Sequence, residues 1–178
     1  DNQTWGGPSR TRFEVDQFIG ENEHKGILND SWVDLGGGDG FHVQVDPLDP
    51  DIVYYESQSA YLVRVNLRSG KERNLRPSNK EGEPRFRFNW NSPFQISPHD
   101  PSVLWLGGNH VFKLTERGDR WQSVSPDLST RDPNKMDTGG SAAETHCTVV
   151  TLAESDRQSG LVWAGTDDGK LWVTRDGG

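Results

Sequence analysis

A short apolar hairpin pattern occurs three times in this sequence and constrains the fold more than any other feature. In residues 160–178, two apolar runs, Leu-Val-Trp-Ala and Leu-Trp-Val, flank a Gly-Thr-Asp-Asp-Gly stretch. Short runs rich in β-branched and aromatic residues on either side of an Asp-Gly turn predict a β-hairpin. The same pattern occurs in residues 52–65 and 103–114. The chain is therefore predicted to be a repeat protein built from β-hairpins.

The repeats are regularly spaced. Val53 and Val103 lie 50 residues apart, and Pro50 and Pro101 lie 51 residues apart. Each copy contains short strands joined by turns, and four antiparallel strands in roughly 40–50 residues are typical of a β-propeller blade. The sequence therefore predicts an all-β fold, a partial β-propeller of four-stranded antiparallel blades.

The whole chain, residues 1–178, is interpreted as a single propeller segment. Its parts are the end of a preceding blade plus a polar insertion (1–35), a blade (36–76), a second blade (86–125), a long loop (126–144) and a third blade without its last strand (145–178). Closed rings have roughly 4–8 blades, so about half a ring is expected. Because a blade cannot bury both faces alone, we expect the remaining blades of a longer chain, or a second copy, to close the ring.

Composition and charge exclude several classes of partner. The chain has 19 basic and 27 acidic residues and a formal net charge of −8. This argues against nucleic acid or an anionic membrane surface as partner, because both require a basic patch. No apolar run approaches the roughly 20 residues of a membrane-spanning helix, so no membrane insertion is expected. The single cysteine, Cys147, excludes an internal disulfide and a cysteine-based zinc cluster.

Residues 36–40 read Gly-Gly-Gly-Asp-Gly but do not fit a phosphate-binding loop. Such loops lie between a strand and a helix, whereas residues 41–45 alternate like another strand. We expect these glycines to adopt positive φ or to pass close to a neighbouring strand.

The last five residues match the beginning of the Asp-box motif, Ser/Thr-x-Asp-x-Gly-x-x-Trp. A short carboxylate at the third position can accept hydrogen bonds from backbone N–H groups of its own turn. Thr174, Asp176 and Gly178 are therefore assigned a structural role. Residues 115–121 form a degenerate copy that is one residue short and has Arg117 in place of the aspartate. We expect this second turn to be held in a different way.

Together with the stretches GGGDGFHVQVDPLDPDIVYYESQ, NWNSPFQISPHDP, SPDLSTRDPNK and GTDDGKLWVTRDGG, this motif resembles the BNR/Asp-box propellers of bacterial glycosyl hydrolase-like proteins. These are related to the sortilin-type propeller domain and, more remotely, to xyloglucan-cleaving propellers. The resemblance covers nearly the whole chain. It implies an exported bacterial protein, secreted or periplasmic, with a function between polysaccharide cleavage and peptide binding.

Polar residues on and before the innermost strands are the candidate binding residues, because these strands line the central channel of a propeller. Gln44 and Gln95 hold the same register relative to the following proline turn, so we expect them at equivalent places. The ligand-binding candidates are His42, Gln44, Trp90, Asn91, Gln95 and His146.

A pair of carboxylates is the candidate catalytic apparatus. Glycoside hydrolysis requires two carboxyl groups about 5–5.5 Å apart for retention, or about 6.5–9.5 Å apart for inversion. Asp39 and Glu144 could form such a pair, and Trp90 could stack against a sugar ring. The competing interpretation is that Asp39 tightens a glycine turn and Trp90 packs between blades. Asp167 and Asp168 are interpreted as residues that form the hairpin turn.

No ligand spacing predicts a bound metal or cofactor. His42 and His146 lack the His-x-His and His-Glu-x-x-His patterns of zinc sites. The acidic turns at 46–51 and 125–133 are rich in oxygen ligands and could hold calcium, but proline–aspartate turns explain them equally well.

Three functions remain open on the sequence. The first is a ligand-binding or scaffold module that recognises glycan or peptide at the channel mouth. The second is a glycoside hydrolase fragment that uses channel carboxylates. The third is a self-assembling half-propeller with a structural role.

Overall fold

The computed structural model describes residues 3–8, 27, 29–136 and 145–178. The regular secondary structure of these residues is mostly β-strand, arranged as four antiparallel sheets, with one short α-helix, α1 (Pro133–Met136). The strands are β1 (Thr4–Gly6), β2 (Val33–Gly36), β3 (Val43–Val45), β4 (Ile52–Ser57), β5 (Tyr61–Asn66), β6 (Lys71–Asn74), β7 (Phe94–Ile96), β8 (Leu104–Gly107), β9 (Val111–Thr115), β10 (Arg120–Ser123), β11 (Val149–Glu154), β12 (Val162–Thr166) and β13 (Leu171–Thr174). The predicted all-β class is confirmed. No helix in this part of the chain is long and apolar enough to cross a membrane.

Two sheets have the four-stranded meander of a complete blade. The first blade orders its strands β3-β4-β5-β6, and the second blade orders them β7-β8-β9-β10. The third blade contains β11-β12-β13, and β1 pairs with β2 in a separate two-stranded sheet. The hairpin predicted in residues 160–178 is present, with Val162 opposite Thr174. Most of the predicted polar insertion lies outside the described residues.

The hydrophobic core lies between successive blades, because alternate residues of a strand point to opposite faces of its sheet. In β8, Leu104 and Leu106 pack with Tyr54 and Phe112 in the cluster between the first and second blades. Trp105, between the two leucines, packs instead against residues of β11 and β12. The second blade is therefore covered on both faces.

Glycines allow neighbouring blades to approach closely at two equivalent turns. Gly118 follows the third strand of the second blade, and Gly178 follows the third strand of the third blade; their φ values are +91° and +102°. A Cβ atom at Gly118 would lie 2.5 Å from Leu75 Cδ1, and one at Gly178 would lie 2.4 Å from Val124 O. Both the positive φ and the contact with the preceding blade therefore require glycine.

The two turns are held by different side chains. Thr174 Oγ1 donates to Asp176 Oδ1 (2.6 Å), and the Gly178 N–H donates to the same carboxylate oxygen (3.3 Å). In the shorter turn, Arg117 Nε lies 2.9 Å from Asp46 Oδ2 of the first blade. An ion pair across the blade interface thus takes the place of the local carboxylate, and the expectation that this turn is held in a different way is confirmed.

The glycine-rich loop at 36–40 allows the backbone to pass close to its neighbours. A Cβ atom at Gly36 would lie 2.4 Å from the Tyr55 ring, and one at Gly40 would lie 2.6 Å from Gln3 O. Gly38 has a φ of +90°. The next element is strand β3 and not a helix. The expectation of close backbone approach is confirmed.

Candidate functional site

One end of the three blades collects most of the candidate residues. We call it the loop end. It comprises the segments that lead into the first strand of each blade (36–42, 75–93 and 145–148) and the turns between the second and third strands (58–60, 108–110 and 167–169). Neighbouring blades meet there: the Ser59 N–H donates to Trp90 O (3.0 Å), and Asn89 Nδ2 donates to Thr148 Oγ1 (3.1 Å). Four predicted ligand-binding residues lie at this end: His42, Trp90, Asn91 and His146.

Gln44 and Gln95 lie within the first strands, and the structure gives them an inter-blade role. Gln44 Nε2 donates to Phe94 O (3.0 Å), and the Ile96 N–H donates to Gln44 Oε1 (2.8 Å). In the same way, the Glu154 N–H donates to Gln95 Oε1 (2.8 Å). The two glutamines occupy equivalent places, as predicted, but each carboxamide is bonded to the backbone of the next blade. Their ligand-binding role stays a prediction, and the inter-blade contact already accounts for them.

His42, Trp90 and Asn91 lie where the first and second blades meet. His42 packs edge-on against Phe94, with ring centroids 6.2 Å apart. Burial lowers the pKa of His42, although a hydrogen bond with the Asn91 side chain opposes the shift. The imidazole is therefore neutral near pH 7 and can both donate and accept a hydrogen bond. Trp90 is partly buried, and Asn91 is exposed.

His146 belongs to a polar cluster between the second and third blades. Its Nδ1 lies 3.4 Å from Asp167 Oδ1. Asp167 also accepts the Thr148 N–H through Oδ1 (3.0 Å) and the Thr148 hydroxyl through Oδ2 (3.0 Å). Asn89 Nδ2 lies 3.5 Å from the same Oδ2. Asp167 is thus more than a turn residue, because its carboxylate links two segments of the loop end and lies beside a partly exposed imidazole.

The distance between the two predicted catalytic carboxylates, Asp39 and Glu144, is not given by the structure. Asp39 lies, partly buried, in the glycine-rich loop at the loop end, but Glu144 falls outside the described residues. The separation of their carboxyl groups, which would distinguish retention from inversion, therefore stays a prediction.

A buried carboxyl group that was not singled out in the sequence lies beneath the loop end. Glu56 is fully buried, and its Oε1 accepts the N–H groups of Ala60 (3.2 Å) and Ser92 (3.3 Å), one from each blade. Burial raises the pKa of Glu56 to about 8, although these N–H groups oppose the shift. Oε2 has no hydrogen-bond partner among the residues that the structure describes. Glu56 is therefore protonated at neutral pH and bridges two blades.

Protein donors contact the carboxylates of the acidic turns. Asp46 Oδ1 accepts the Leu48 N–H (2.8 Å), and Asp46 is ion-paired with Arg117. Asp127 accepts from Arg87 (2.8 Å) and from other groups. Burial alone would raise the pKa of Asp127, but hydrogen bonds from the side chains of Ser129, Asn109 and Arg87 lower it to about 2. No group of three or more His, Cys, Asp or Glu side chains in the described ranges could hold a metal ion.

Comparison with known proteins identifies the fold. No protein-family model and no curated protein matches the sequence. Among solved structures, the chain is similar to the crystal structure of the GH74 xyloglucanase from Xanthomonas campestris, with a TM-score of 0.54 and 14% sequence identity. The similarity covers 82% of this chain and 22% of the enzyme, so this chain spans about a fifth of its neighbour's length. The chain is a partial β-propeller, as predicted, and is related in fold to a propeller-type glycoside hydrolase.

Proposed function

We propose that this chain is a ligand-binding module of a β-propeller protein and that it recognises a glycan at the loop end. The observation that carries the proposal is the grouping there of Trp90, Asn91, His42 and His146, which are partly or fully exposed. Aromatic rings offer an apolar face to a sugar, while carboxamide and imidazole groups bond its hydroxyls. The xyloglucanase name of the fold neighbour supports a glycan over a peptide.

The test is calorimetric binding of a xyloglucan oligosaccharide to the wild type and to Trp90→Ala. We expect the substitution to weaken binding at least about tenfold, because it removes an aromatic contact. Trp32→Ala is the matched control, since Trp32 is 45% exposed and precedes strand β2, away from the loop end. Equal affinities of Trp90→Ala and wild type would refute the proposed surface. Binding of a peptide but not of the oligosaccharide would refute glycan recognition.

A second candidate function is glycoside hydrolysis, favoured by the Asp167 carboxylate, which lies 3.4 Å from His146 Nδ1, and by Asp39 in the glycine-rich loop at the same end of the molecule. In this proposal Asp39 and Glu144 act as the acid and its partner carboxylate. Reducing-sugar release from xyloglucan should disappear in Asp39→Asn and in Glu144→Gln while the circular dichroism spectrum stays unchanged. Asp156→Asn, at an exposed position outside the loop end, should retain activity. Activity that persists in both test variants would exclude this pair.

We also propose that another blade covers the outer face of the third blade. Trp163 occupies the position of Tyr54 and Trp105 in the preceding blades, which are 0% and 1% exposed, whereas Trp163 is 45% exposed. Leu171 and Val173 share its face and are also exposed. The covering blade comes from a longer chain or from a second copy.

Light scattering after size exclusion separates these two sources. A discrete dimer supports closure by a second copy, and a dimer unaffected by glycan would favour a structural half-ring. A monomer supports covering by further blades of a longer chain. A monomer in which the Trp163 indole is shielded from a fluorescence quencher would contradict the exposed face itself.

We propose membership of the BNR/Asp-box propellers, supported by the Thr174–Asp176–Gly178 turn and its hydrogen bonds, and export to the periplasm or medium. Fractionation of the source cells with an antibody against this chain tests the location. Recovery with the cytoplasmic fraction would contradict export.

A further inference from the structure

A cleft of about 810 Å³ is formed by the loop that joins the first blade to the second, within residues 74–88. This loop closes on itself. Asn79 Oδ1 accepts the Phe86 N–H (2.7 Å), and Glu83 Oε2 accepts the Lys80 N–H (3.2 Å). Phe86 and Phe88 also anchor it, because both rings pack on Phe112 in the core. The cleft therefore has a defined shape.

Arg76 lines this cleft and has no acidic partner. Its guanidinium carbon lies 4.8 Å from the centroid of the buried Phe88 ring. No carboxylate in the described part of the chain pairs with Arg76, whereas Arg64, Arg73 and Arg117 between the blades are all paired. Burial lowers the pKa of Arg76, and no acidic group offsets the shift. A guanidinium held on a ring without a counter-ion is preorganised to bind an anion.

The rest of the lining favours an oxygen-rich anion. Lys80 and Arg85 are two further cations, set against Glu81 and Glu83. The cleft thus has three basic and two acidic side chains, although the chain as a whole has a net charge of −8. Asn74 and Asn79 also line the cleft; each accepts a backbone N–H through Oδ1, so each keeps an NH₂ group as a donor.

We propose that this cleft binds the carboxylate of a uronate sugar in an acidic glycan, with Arg76 as the principal anion-binding residue. This inference rests on the proposed function, glycan recognition, and specifies that the glycan is acidic. The same segment continues from Arg76 to Trp90 and Asn91, so the cleft and the aromatic candidate lie at one end of the molecule. The uronate carboxylate would pair with Arg76 as Asp119 pairs with Arg64 and Arg73 elsewhere in the chain.

The experiment compares trigalacturonic acid with its methyl ester, which has the same shape but no charge. Wild type should bind the acid at least about tenfold more tightly, the effect of one charge-assisted hydrogen bond. Arg76→Gln should abolish this preference. Arg157→Gln is the matched control, because Arg157 is exposed and has no ion pair in the described residues. If Arg76→Gln does not fold, Arg85→Gln tests the same cleft, since Arg85 is exposed and forms no ring contact there.

The outcomes separate this inference from the proposed function. Equal binding of acid and ester by the wild type overturns the anion site but leaves glycan recognition standing. An acid preference that survives in a folded Arg76→Gln variant also overturns it, and if that variant does not fold, survival in Arg85→Gln does the same. Binding of xyloglucan oligosaccharide without binding of the acid refutes the uronate class alone. Failure of every sugar refutes both proposals together.

Discussion

The interface between the first and second blades and the interface between the second and third use equivalent strands with different chemistry. At the first interface Arg64 donates to Asp119 across the gap (3.0 Å), and Arg117 pairs with Asp46 (2.9 Å). At the second interface the position of Arg64 is taken by Lys113, which lies over an indole and bridges to no acid of the third blade among the described residues. Ion pairs between side chains therefore connect the first and second blades.

The second interface depends on an indole and a carboxylate. Trp105 Nε1 donates to Glu154 Oε2 (2.8 Å), and the Gly160 N–H donates to Glu154 Oε1 (2.9 Å). Both interfaces nevertheless keep a glutamine bonded to the next blade and a glycine packed against the preceding one. The glutamine contact and the closely packed glycine are thus common to both blade interfaces. The other side chains at the two interfaces differ.

The two interfaces also differ in packed volume. Leu106 and Leu114 of the second blade face the first, and the equivalent positions of the third blade hold Ala164 and Thr174. A cavity of about 290 Å³ lies beside Ala164 and Thr174, with Trp105 in its wall. The second interface therefore contains unfilled space beside these two smaller side chains.

The largest effect that we expect comes from truncating the better-packed interface. Leu106→Ala should lower the free energy of unfolding by about 2–5 kcal/mol, because it opens a cavity among fully buried side chains. Leu128→Ala removes the same atoms at the second interface and should cost less, since Leu128 already borders a cavity. Urea unfolding followed by tryptophan fluorescence measures both. Equal losses would mean that the two interfaces are packed alike.

The two buried glutamates should respond to pH in opposite directions. Burial raises the pKa of Glu56 to about 8, so its contribution to stability is complete below pH 4.5 and is lost as the pH rises through 8. Burial alone would also raise the pKa of Glu154, but hydrogen bonds from Ser97, Gly160 and Trp105 lower it. The contribution of Glu154 is therefore present above the usual glutamate pKa and is lost as the pH falls.

Glu56→Gln should remove the loss of stability that the wild type shows as the pH rises toward 8. Between pH 5 and 8 the wild type should lose stability on the order of 3 kcal/mol relative to this variant. Glu154→Gln should be more destabilised relative to wild type at pH 7 than at pH 4. Urea midpoints across this pH range report both effects. If the urea midpoints of Glu56→Gln and wild type change with pH in the same way, the Glu56 carboxyl group is not kept protonated by its burial.

A smaller difference should separate two glycines of equivalent turns. Gly118→Ala should cost about 2 kcal/mol or more, because alanine would meet both a positive φ and Leu75 Cδ1 at 2.5 Å. Gly70→Ala should cost about 1 kcal/mol, since Gly70 has a φ of +66° but nothing within 4 Å of a Cβ. Thermal unfolding of the two variants makes the comparison. A larger loss for Gly70→Ala would contradict the close approach of the blades.

The smallest effect that we expect is an increase in the free energy of unfolding. Ala164→Val should raise the free energy of unfolding by about 1 kcal/mol, because its added methyl groups enter the cavity of the second interface. Ala153→Val adds the same atoms on the opposite, exposed face of the third blade and should change stability little. If Ala164→Val destabilises the protein more than Ala153→Val does, the space is not available to a side chain.

Sequence patterns predicted the features that depend on neighbouring residues. The hairpin at 160–178 follows from an Asp-Gly turn between two apolar runs, and the shared register of Gln44 and Gln95 follows from the proline turns after them. The role of these glutamines was not predictable, because Gln44 bonds to Ile96, 52 residues away. A side chain whose partner lies on the next blade carries no local signal.

The site residues that the sequence analysis missed have the same explanation. Glu56 reads as a polar end to an apolar strand, but its second N–H partner, Ser92, lies 36 residues away. Asp167 reads as a turn former, yet it also binds Thr148, 19 residues earlier. An acidic residue inside an otherwise apolar strand was the one available signal for Glu56.

NMR mapping of the nitrogen-15-labelled chain, titrated with a xyloglucan oligosaccharide and separately with trigalacturonic acid, tests whether the loop end is the ligand-binding surface. We expect amide shifts to concentrate in segments 36–42, 87–93 and 145–148, with the indole of Trp90 among the largest. Shifts confined to the exposed faces of β11, β12 and β13, or no shifts at saturating concentrations of either sugar, would show that the loop end does not bind the ligand.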